Sequence, residues 1–166
     1  TYVLKGLNIL FSLGIDTQTL QSLALELGSD CPLFVEEKPQ FAQGRGEILS
    51  PIHVDLTGKQ LLVINLGIHV STQLAFSKIQ PKKPSLSIPE IVQKPIEMWK
   101  ESLVNDFETG VFSAYPILEE VKKKMYQEGA VYASMTGSGS TIFGIFDEVV
   151  SFDFFPQAQI QKWISL

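Results

Sequence analysis

Near the end of the chain, two short apolar runs are separated by a loop of glycine and hydroxyl residues. The sequence over 130–146 is AVYASM-TGSGS-TIFGIF. Short apolar runs of this kind predict β-strands. The spacing Gly137-Ser138-Gly139 lets the backbone adopt positive φ and approach a ligand closely. The pattern therefore predicts either an ordinary tight turn or a loop that binds phosphate through its amides and the hydroxyls of Thr136, Ser138, Ser140 and Thr141.

Helical and strand patterns alternate irregularly along the rest of the chain. Helices are predicted after the caps Asp16 and Ser71, near the N-terminus, and in IPEIVQK, PIEMWKESLV, NDFETGVFSA and YPILEEVKKKMYQEG. Strands are predicted in PLFVEE, FAQGRGEILSPI, KQLLVINL, AVYASM, TIFGIF and around residues 160–164. The proline-rich QPKKPSLSIP, residues 80–89, predicts a surface excursion. Because strands cluster at both ends, an α+β domain with a largely antiparallel sheet is favoured over a doubly wound parallel one.

Composition excludes several classes of partner. The net charge is −5 and no sustained basic cluster is present, which argues against nucleic acid or an anionic membrane surface as the main partner. The run Lys122-Lys123-Lys124 is interpreted as the solvated face of a helix. The single cysteine, Cys31, rules out an internal disulfide and fits a reducing compartment.

One carboxylate stands out, in the segment LGSDCPLF. Asp30 lies between a helix end and a proline, among small or apolar residues, so we expect it to be partly desolvated and suited to act as a general base. The alternative is that Asp30 caps the following turn. No metal site is predicted, since His53 and His69 follow no zinc spacing. No serine-hydrolase elbow is present either, because GSGS does not match its pattern.

Several segments in order carry a resemblance to a known family. They are LKGLNILFSLGI, LALELGSDCPLF, FAQGRGEILSPI, IHVSTQLAFSKI, NDFE, YPILEEVKKKMYQEGA and SMTGSGSTIFGIF. Together they resemble the C-terminal part of the GHMP superfamily of small-molecule kinases. The resemblance is strongest to members that phosphorylate a cytidine-diphosphate sugar alcohol in the non-mevalonate isoprenoid pathway. It implies a cytoplasmic, ATP- and Mg²⁺-dependent phosphotransferase that acts on this small molecule.

The resemblance also implies roles for particular positions. Asp30 matches the family's active-site aspartate, which orients or deprotonates the acceptor hydroxyl. Thr136, Gly137, Ser138 and Gly139 match a glycine-rich turn against the phosphate-binding centre. Phe76 matches an aromatic position that stacks on the cytosine. The segment GRGE, Gly44 to Glu47, matches as well, and a structural strand-turn role is at least as good an interpretation there.

The resemblance extends to domain organisation. Residues 1–55 are expected to be the end of the family's N-terminal domain, and residues 56–166 a ferredoxin-like C-terminal domain. The family's main phosphate loop and its catalytic lysine are not in this sequence, so we expect the chain alone to be inactive. Exposed apolar residues around Leu7 and Leu10 are expected to drive self-association, most simply as a homodimer. The alternatives are another GHMP kinase, acting on mevalonate-type, homoserine or sugar substrates, and a non-catalytic ferredoxin-like ligand-binding module.

Overall fold

The computed structural model describes residues 1–79, 86–151, 155 and 158–166. The chain forms two compact units, Thr1–Val54 and Asp55–Leu166, and each is described by itself. The assignment of residues 1–55 and 56–166 to two kinase domains stays a prediction. No helix in the described ranges is long and apolar enough to cross a bilayer.

The first unit begins with two helices, α1 (Tyr2–Leu10) and α2 (Thr17–Leu27). The Asp16 side chain accepts a hydrogen bond from the Thr19 amide at 2.7 Å, which confirms the predicted cap of α2. A small core forms where Leu20 and Ala24 of α2 pack against Val35. Helix α1 contributes no buried residue to it. Its large apolar side chains are mostly exposed, with Leu10 at 73%, and self-association through them stays a prediction.

The segment PLFVEE is a short helix, α3 (Leu33–Glu36), and its prediction as a strand was wrong. The run is too short for its apolar pattern to distinguish a strand from a turn of helix. Pro32 supplies a helical φ of −58°, and the Val35 amide bonds to the Pro32 carbonyl. This turn brings Val35 against α2, and Glu37 ends the helix in the left-handed conformation.

A two-stranded hairpin completes the first unit. Strands β1 (Gln40–Gln43) and β2 (Ile48–Pro51) pair antiparallel, with Gln43 opposite Ile48. Strands were predicted in FAQGRGEILSPI, which contains β2 and all of β1 except Gln40. The four residues GRGE form the connection between them.

The second unit contains a four-stranded antiparallel sheet. Its strands, in the spatial order β4-β5-β3-β6, are β3 (Gln60–Asn65), β4 (Tyr132–Met135), β5 (Ile142–Phe146) and β6 (Ile160–Ser165). Numbered within the unit, this is the order 2-3-1-4. It is the order expected of a ferredoxin-like sheet, and the predicted α+β class with a largely antiparallel sheet is confirmed.

The helices that the structure describes in the second unit lie between β3 and β4. They are α4 (Thr72–Ser77), α5 (Ile88–Val92), a 3-10 helix (Ile96–Glu101), α6 (Phe107–Ala114) and α7 (Pro116–Gln127). Ser71 caps α4, as predicted. The helix predicted in PIEMWKESLV is a 3-10 helix over Ile96–Glu101. The predicted proline-rich excursion falls largely on residues 80–85, outside the described residues.

Helix α7 packs against β4 and β5 and forms much of the core. Leu118, Val121 and Met125 recur at helical spacing on one face and are fully buried. Each such side chain contributes about 1.5–3 kcal/mol on burial. The interpretation of Lys122-Lys123-Lys124 as a solvated face holds only in part, because the side chain of Lys123 is 64% exposed but those of Lys122 and Lys124 are only 21% and 29% exposed. The sheet and α7 therefore form a packed platform beneath the β4–β5 loop.

Candidate functional site

Asp30 lies in the first unit, in the turn between α2 and α3. Its side chain is exposed, so the expectation of partial desolvation was wrong. The alternative of a cap is not seen either, since α3 begins without a side-chain cap. The Ser29 hydroxyl is 3.4 Å from Asp30 Oδ1. The carboxylate is therefore accessible to a ligand, and the hydroxyl of the adjacent Ser29 lies close to it.

The GRGE connection reaches Asp30 through Gly46. A Cβ atom at Gly46 would lie 2.6 Å from Asp30 Oδ1, and this glycine has a φ of +114°. Both the close approach and the conformation favour glycine. The turn is held by Glu47, whose carboxylate accepts the Arg45 amide at 2.6 Å. Hydrogen bonds from the amides of Glu47 and Arg45 lower the pKa of this carboxyl group. GRGE thus forms the turn between β1 and β2, and its Gly46 lies directly against the Asp30 carboxylate.

The glycine-hydroxyl loop lies in the second unit and joins β4 to β5. The Thr136 amide donates to the Thr141 carbonyl at 2.9 Å, and the Gly139 amide donates to the Thr136 carbonyl at 3.0 Å. The second bond closes a β-turn. Gly137 is its first central residue, with φ at +51°, as in a type II′ turn. The predicted tight turn is therefore present.

The amides of Gly137 and Ser138 in this loop remain available to a ligand. Among the described residues, no acceptor is found for the backbone N–H groups of Gly137 and Ser138. The hydroxyls differ in their use: that of Ser140 donates to the Ile68 carbonyl, and that of Thr141 accepts from the Asn65 amide group. Thr136 is exposed, and Ser138 is half-buried. Of the four hydroxyls predicted to bind phosphate, those of Ser140 and Thr141 are thus already hydrogen-bonded within the protein.

Asn105 connects the start of α6 to this loop. Its Nδ2 donates to the carbonyls of Met135 and Gly137, each at 2.8 Å. Its Oδ1 accepts the Phe107 amide at 3.0 Å. Asn105 lies in the segment NDFE, which contributed to the family resemblance, but the sequence predicted no role for this residue. The only available signal was a polar pair, Asn105 and Asp106, between apolar residues.

Glu108 holds the strand that leads into the loop. Its carboxylate is buried and accepts the Met135 amide at 2.8 Å and the Ser134 hydroxyl at 3.1 Å. Its other oxygen accepts from Lys122 Nζ at 2.6 Å. Every oxygen of this buried carboxylate is thus hydrogen-bonded, as a buried charge requires. The sequence alone gave no indication of this role for Glu108.

Two tyrosines complete the support of β4. The Tyr126 hydroxyl accepts the Ala133 amide and donates to the Ala133 carbonyl, at 3.0 and 3.1 Å. Burial raises the pKa of Tyr132 to about 12. Its hydroxyl therefore stays protonated at neutral pH and donates to the Leu103 carbonyl at 2.8 Å. The loop consequently emerges from a strand whose polar groups are anchored from one side by the helices.

Phe76 lies on α4 in the second unit, with 62% of its surface exposed. Its ring packs edge-on against Phe107, with centroids 4.9 Å apart and an interplanar angle of 77°. An edge-on neighbour fixes the ring while its face stays free, which suits stacking on a planar ligand. The amide of Phe107 is also the one that Asn105 accepts, so the same segment contacts Phe76 and the loop.

Known proteins match this chain over nearly its whole length. Residues 87–151 match the family described as GHMP kinases C terminal. The 4-diphosphocytidyl-2-C-methyl-D-erythritol kinase of Bacteroides fragilis (strain YCH46) is 44% identical over 156 residues, covering 92% of this chain and 57% of that protein. The enzyme of the same name from Bacteroides thetaiotaomicron is 45% identical over 146 residues, covering 88% and 53%. Residues 87–151 therefore form a GHMP kinase C-terminal domain.

A solved structure agrees with the sequence matches. The crystal structure of a 4-(cytidine 5'-diphospho)-2C-methyl-D-erythritol kinase superposes on this chain with a TM-score of 0.70 and 29% identity. The match covers 87% of this chain and 53% of that one. The kinase of the same name from Porphyromonas gingivalis is 36% identical over 168 residues, covering this whole chain and 61% of that protein. The chain thus spans little more than half the length of the relatives it matches.

Proposed function

We propose that this chain is the C-terminal part of an ATP-dependent kinase that phosphorylates the 2-hydroxyl of 4-diphosphocytidyl-2-C-methyl-D-erythritol. The observation that carries the proposal is that 92% of the chain aligns, with 44% identity, to a protein named 4-diphosphocytidyl-2-C-methyl-D-erythritol kinase. We assign residues 1–55 to the end of its N-terminal domain and 56–166 to its C-terminal domain. The division of the structure after Val54 supports this assignment. Free Cys31 fits a reducing compartment, and we place the enzyme in the cytoplasm.

In the proposed reaction, the acceptor hydroxyl oxygen forms a bond to the γ-phosphorus of ATP. The bond from that phosphorus to the β,γ-bridging oxygen breaks, and ADP leaves with its electron pair. Asp30 orients the hydroxyl and takes its proton, a role that its open carboxylate supports. The amides of Gly137 and Ser138 stabilise charge on the transferred group. Phosphoryl transfer depends mainly on such positioning and electrostatic stabilisation.

Mg²⁺ belongs to the proposal as an ion that would neutralise negative charge on the phosphates of ATP. Within the described ranges, no group of three or more histidine, cysteine or acidic side chains could hold a metal ion. These residues therefore do not form a protein cage for the ion. Mg²⁺ commonly keeps waters and substrate phosphates as its ligands, so it would arrive with the nucleotide.

The test of the proposed function is a phosphorylation assay on the full-length protein. ATP is combined separately with the cytidyl substrate, homoserine and mevalonate, and ADP release is coupled to product detection. We expect turnover with the cytidyl substrate and none with the other two. Residues 1–166 expressed alone are the matched control and are expected to be inactive. Activity on homoserine without activity on the cytidyl substrate would overturn the assignment.

Phe76 is expected to bind the cytosine ring by stacking. Stacking of a base on an aromatic side chain is worth about 1–3 kcal/mol, so Phe76→Ala should raise the KM for the cytidyl substrate by about tenfold or more. The kcat should change little, because the ring does not contact the reacting atoms. Phe11→Ala is the control, since Phe11 is exposed to a similar extent, 64% against 62%. Equal KM values in the two variants would exclude stacking at Phe76.

A further inference from the structure

The central peptide of the β4–β5 turn is the one between Gly137 and Ser138. Turns of types I′ and II′ differ mainly in the orientation of this peptide. Gly137 has no side chain, and a Cβ placed there would meet nothing within 4 Å. Neither sterics nor packing at Gly137 therefore selects the orientation of this peptide. The other central residue contributes, because a type I′ turn would require a positive φ at Ser138, which this non-glycine residue does not adopt. A contact to the peptide carbonyl can reinforce this preference.

Asn105 supplies that contact. Its Nδ2 bonds the Gly137 carbonyl at 2.8 Å. The orientation of its own amide is determined, because Oδ1 accepts the Phe107 N–H and only the NH₂ group can face two carbonyls. Asn105 is thus fixed at both ends and holds the Gly137 oxygen on one side of the loop.

A planar trans peptide places its carbonyl and its N–H on opposite sides. The neighbouring Met135–Thr136 peptide illustrates this: the Met135 carbonyl accepts from Asn105, while the Thr136 amide donates to Thr141 across the base of the loop. The Gly137–Ser138 peptide is also trans. With its carbonyl held by Asn105, the Ser138 N–H points away from Asn105, and no described residue accepts it.

We propose that Asn105 is a positioning residue for phosphoryl transfer, which holds the Gly137–Ser138 peptide so that the Ser138 N–H faces the transferred phosphate. This inference rests on the proposed kinase function. Asn105 itself does not touch the nucleotide in this account. It acts by preventing the peptide from turning its carbonyl oxygen, which would repel phosphate, toward the same place.

The test compares two Asn→Asp substitutions in the full-length enzyme. Asn105→Asp keeps the acceptor for Phe107 but replaces the donor by an oxygen that repels the two carbonyls. Asn8→Asp is the matched control, because Asn8 also donates to a carbonyl and accepts an amide, both of Ile15, at 2.9 and 3.0 Å. Preorganised donors are worth about 10²–10³ in kcat, so indirect loss of one should lower kcat at least tenfold in Asn105→Asp. The KM for ATP should change much less.

The outcomes separate the inference from the proposed function. A wild-type enzyme that phosphorylates no acceptor overturns both. An active wild type with the kcat of Asn105→Asp no lower than that of Asn8→Asp overturns the inference alone. If Asn105→Asp does not fold, Asn105→Ala removes the donor without adding repulsion, and the same comparison of kcat with Asn8→Ala decides. Thermal midpoints are measured for every variant, and a loss of kcat in a protein that melts like the control supports positioning.

Discussion

Replacing Asp30 with asparagine is expected to abolish nearly all turnover of the full-length kinase while leaving its stability unchanged. A positioned general base contributes about 10²–10⁴ to the rate, so kcat should fall by roughly 10³. Asparagine has almost the same shape, and the contact with Gly46 and the neighbouring Ser29 can be kept. Because the side chain is exposed, the free energy of unfolding should change by less than about 0.5 kcal/mol.

Asp147→Asn is the control for loss of a carboxylate. Asp147 is exposed and pairs with Lys59, an ion pair worth about 0–1 kcal/mol. This variant should keep its kcat. Steady-state kinetics and urea unfolding of both variants make the comparison. An Asp30→Asn enzyme with more than about a tenth of wild-type kcat would contradict a role as general base.

Replacing Glu108 with alanine is expected to produce the largest loss of stability. The substitution removes the partner of Lys122, whose side chain is 21% exposed, and leaves the buried Met135 amide without an acceptor. The Ser134 hydroxyl keeps only a 3.4 Å contact with the Met135 carbonyl. Removing one partner of a buried ion pair costs about 3–5 kcal/mol. Because Lys122 is partly exposed to water, we expect a loss of unfolding free energy near the lower end of this range. Urea unfolding of the 1–166 chain measures the change.

The control for Glu108 is another glutamate that pairs with a lysine of the same helix. Glu119 bonds Lys123 one turn away at 2.8 Å, and both side chains are about half exposed. Glu119→Ala should therefore cost no more than about 0.5 kcal/mol. If the two variants unfold at the same urea concentration, Glu108 is not the anchor of β4 that its hydrogen bonds indicate.

Local chemistry made parts of this fold predictable. Asp16 and Ser71 each precede a helical pattern and cap it through an amide three residues ahead, so adjacent sequence was enough. The β4–β5 turn followed from glycine spacing alone. PLFVEE failed because four apolar residues fit either a strand or one helical turn. The choice was made by packing of Val35 on α2.

The support of the candidate loop was not predictable in this way. Asn105 and Glu108 reach two carbonyls, one amide and one hydroxyl about thirty residues further along the chain. Their sequence neighbours give no sign of these contacts, because the contacts exist only once α6 lies beside β4. Exposure of Asp30 was missed for the same reason, since its apolar neighbours in sequence do not cover its side chain.

The central claim is transfer of a phosphate to one hydroxyl of one small molecule, and the product tests it most directly. The full-length enzyme is incubated with ATP and 4-diphosphocytidyl-2-C-methyl-D-erythritol, and phosphorus NMR follows the mixture. We predict one new phosphate monoester appearing in step with ADP, and its phosphorus signal should show no three-bond coupling to a proton, because the carbon that bears the 2-hydroxyl carries a methyl group and no hydrogen. Release of ADP with inorganic phosphate and an unchanged cytidyl compound would contradict the account.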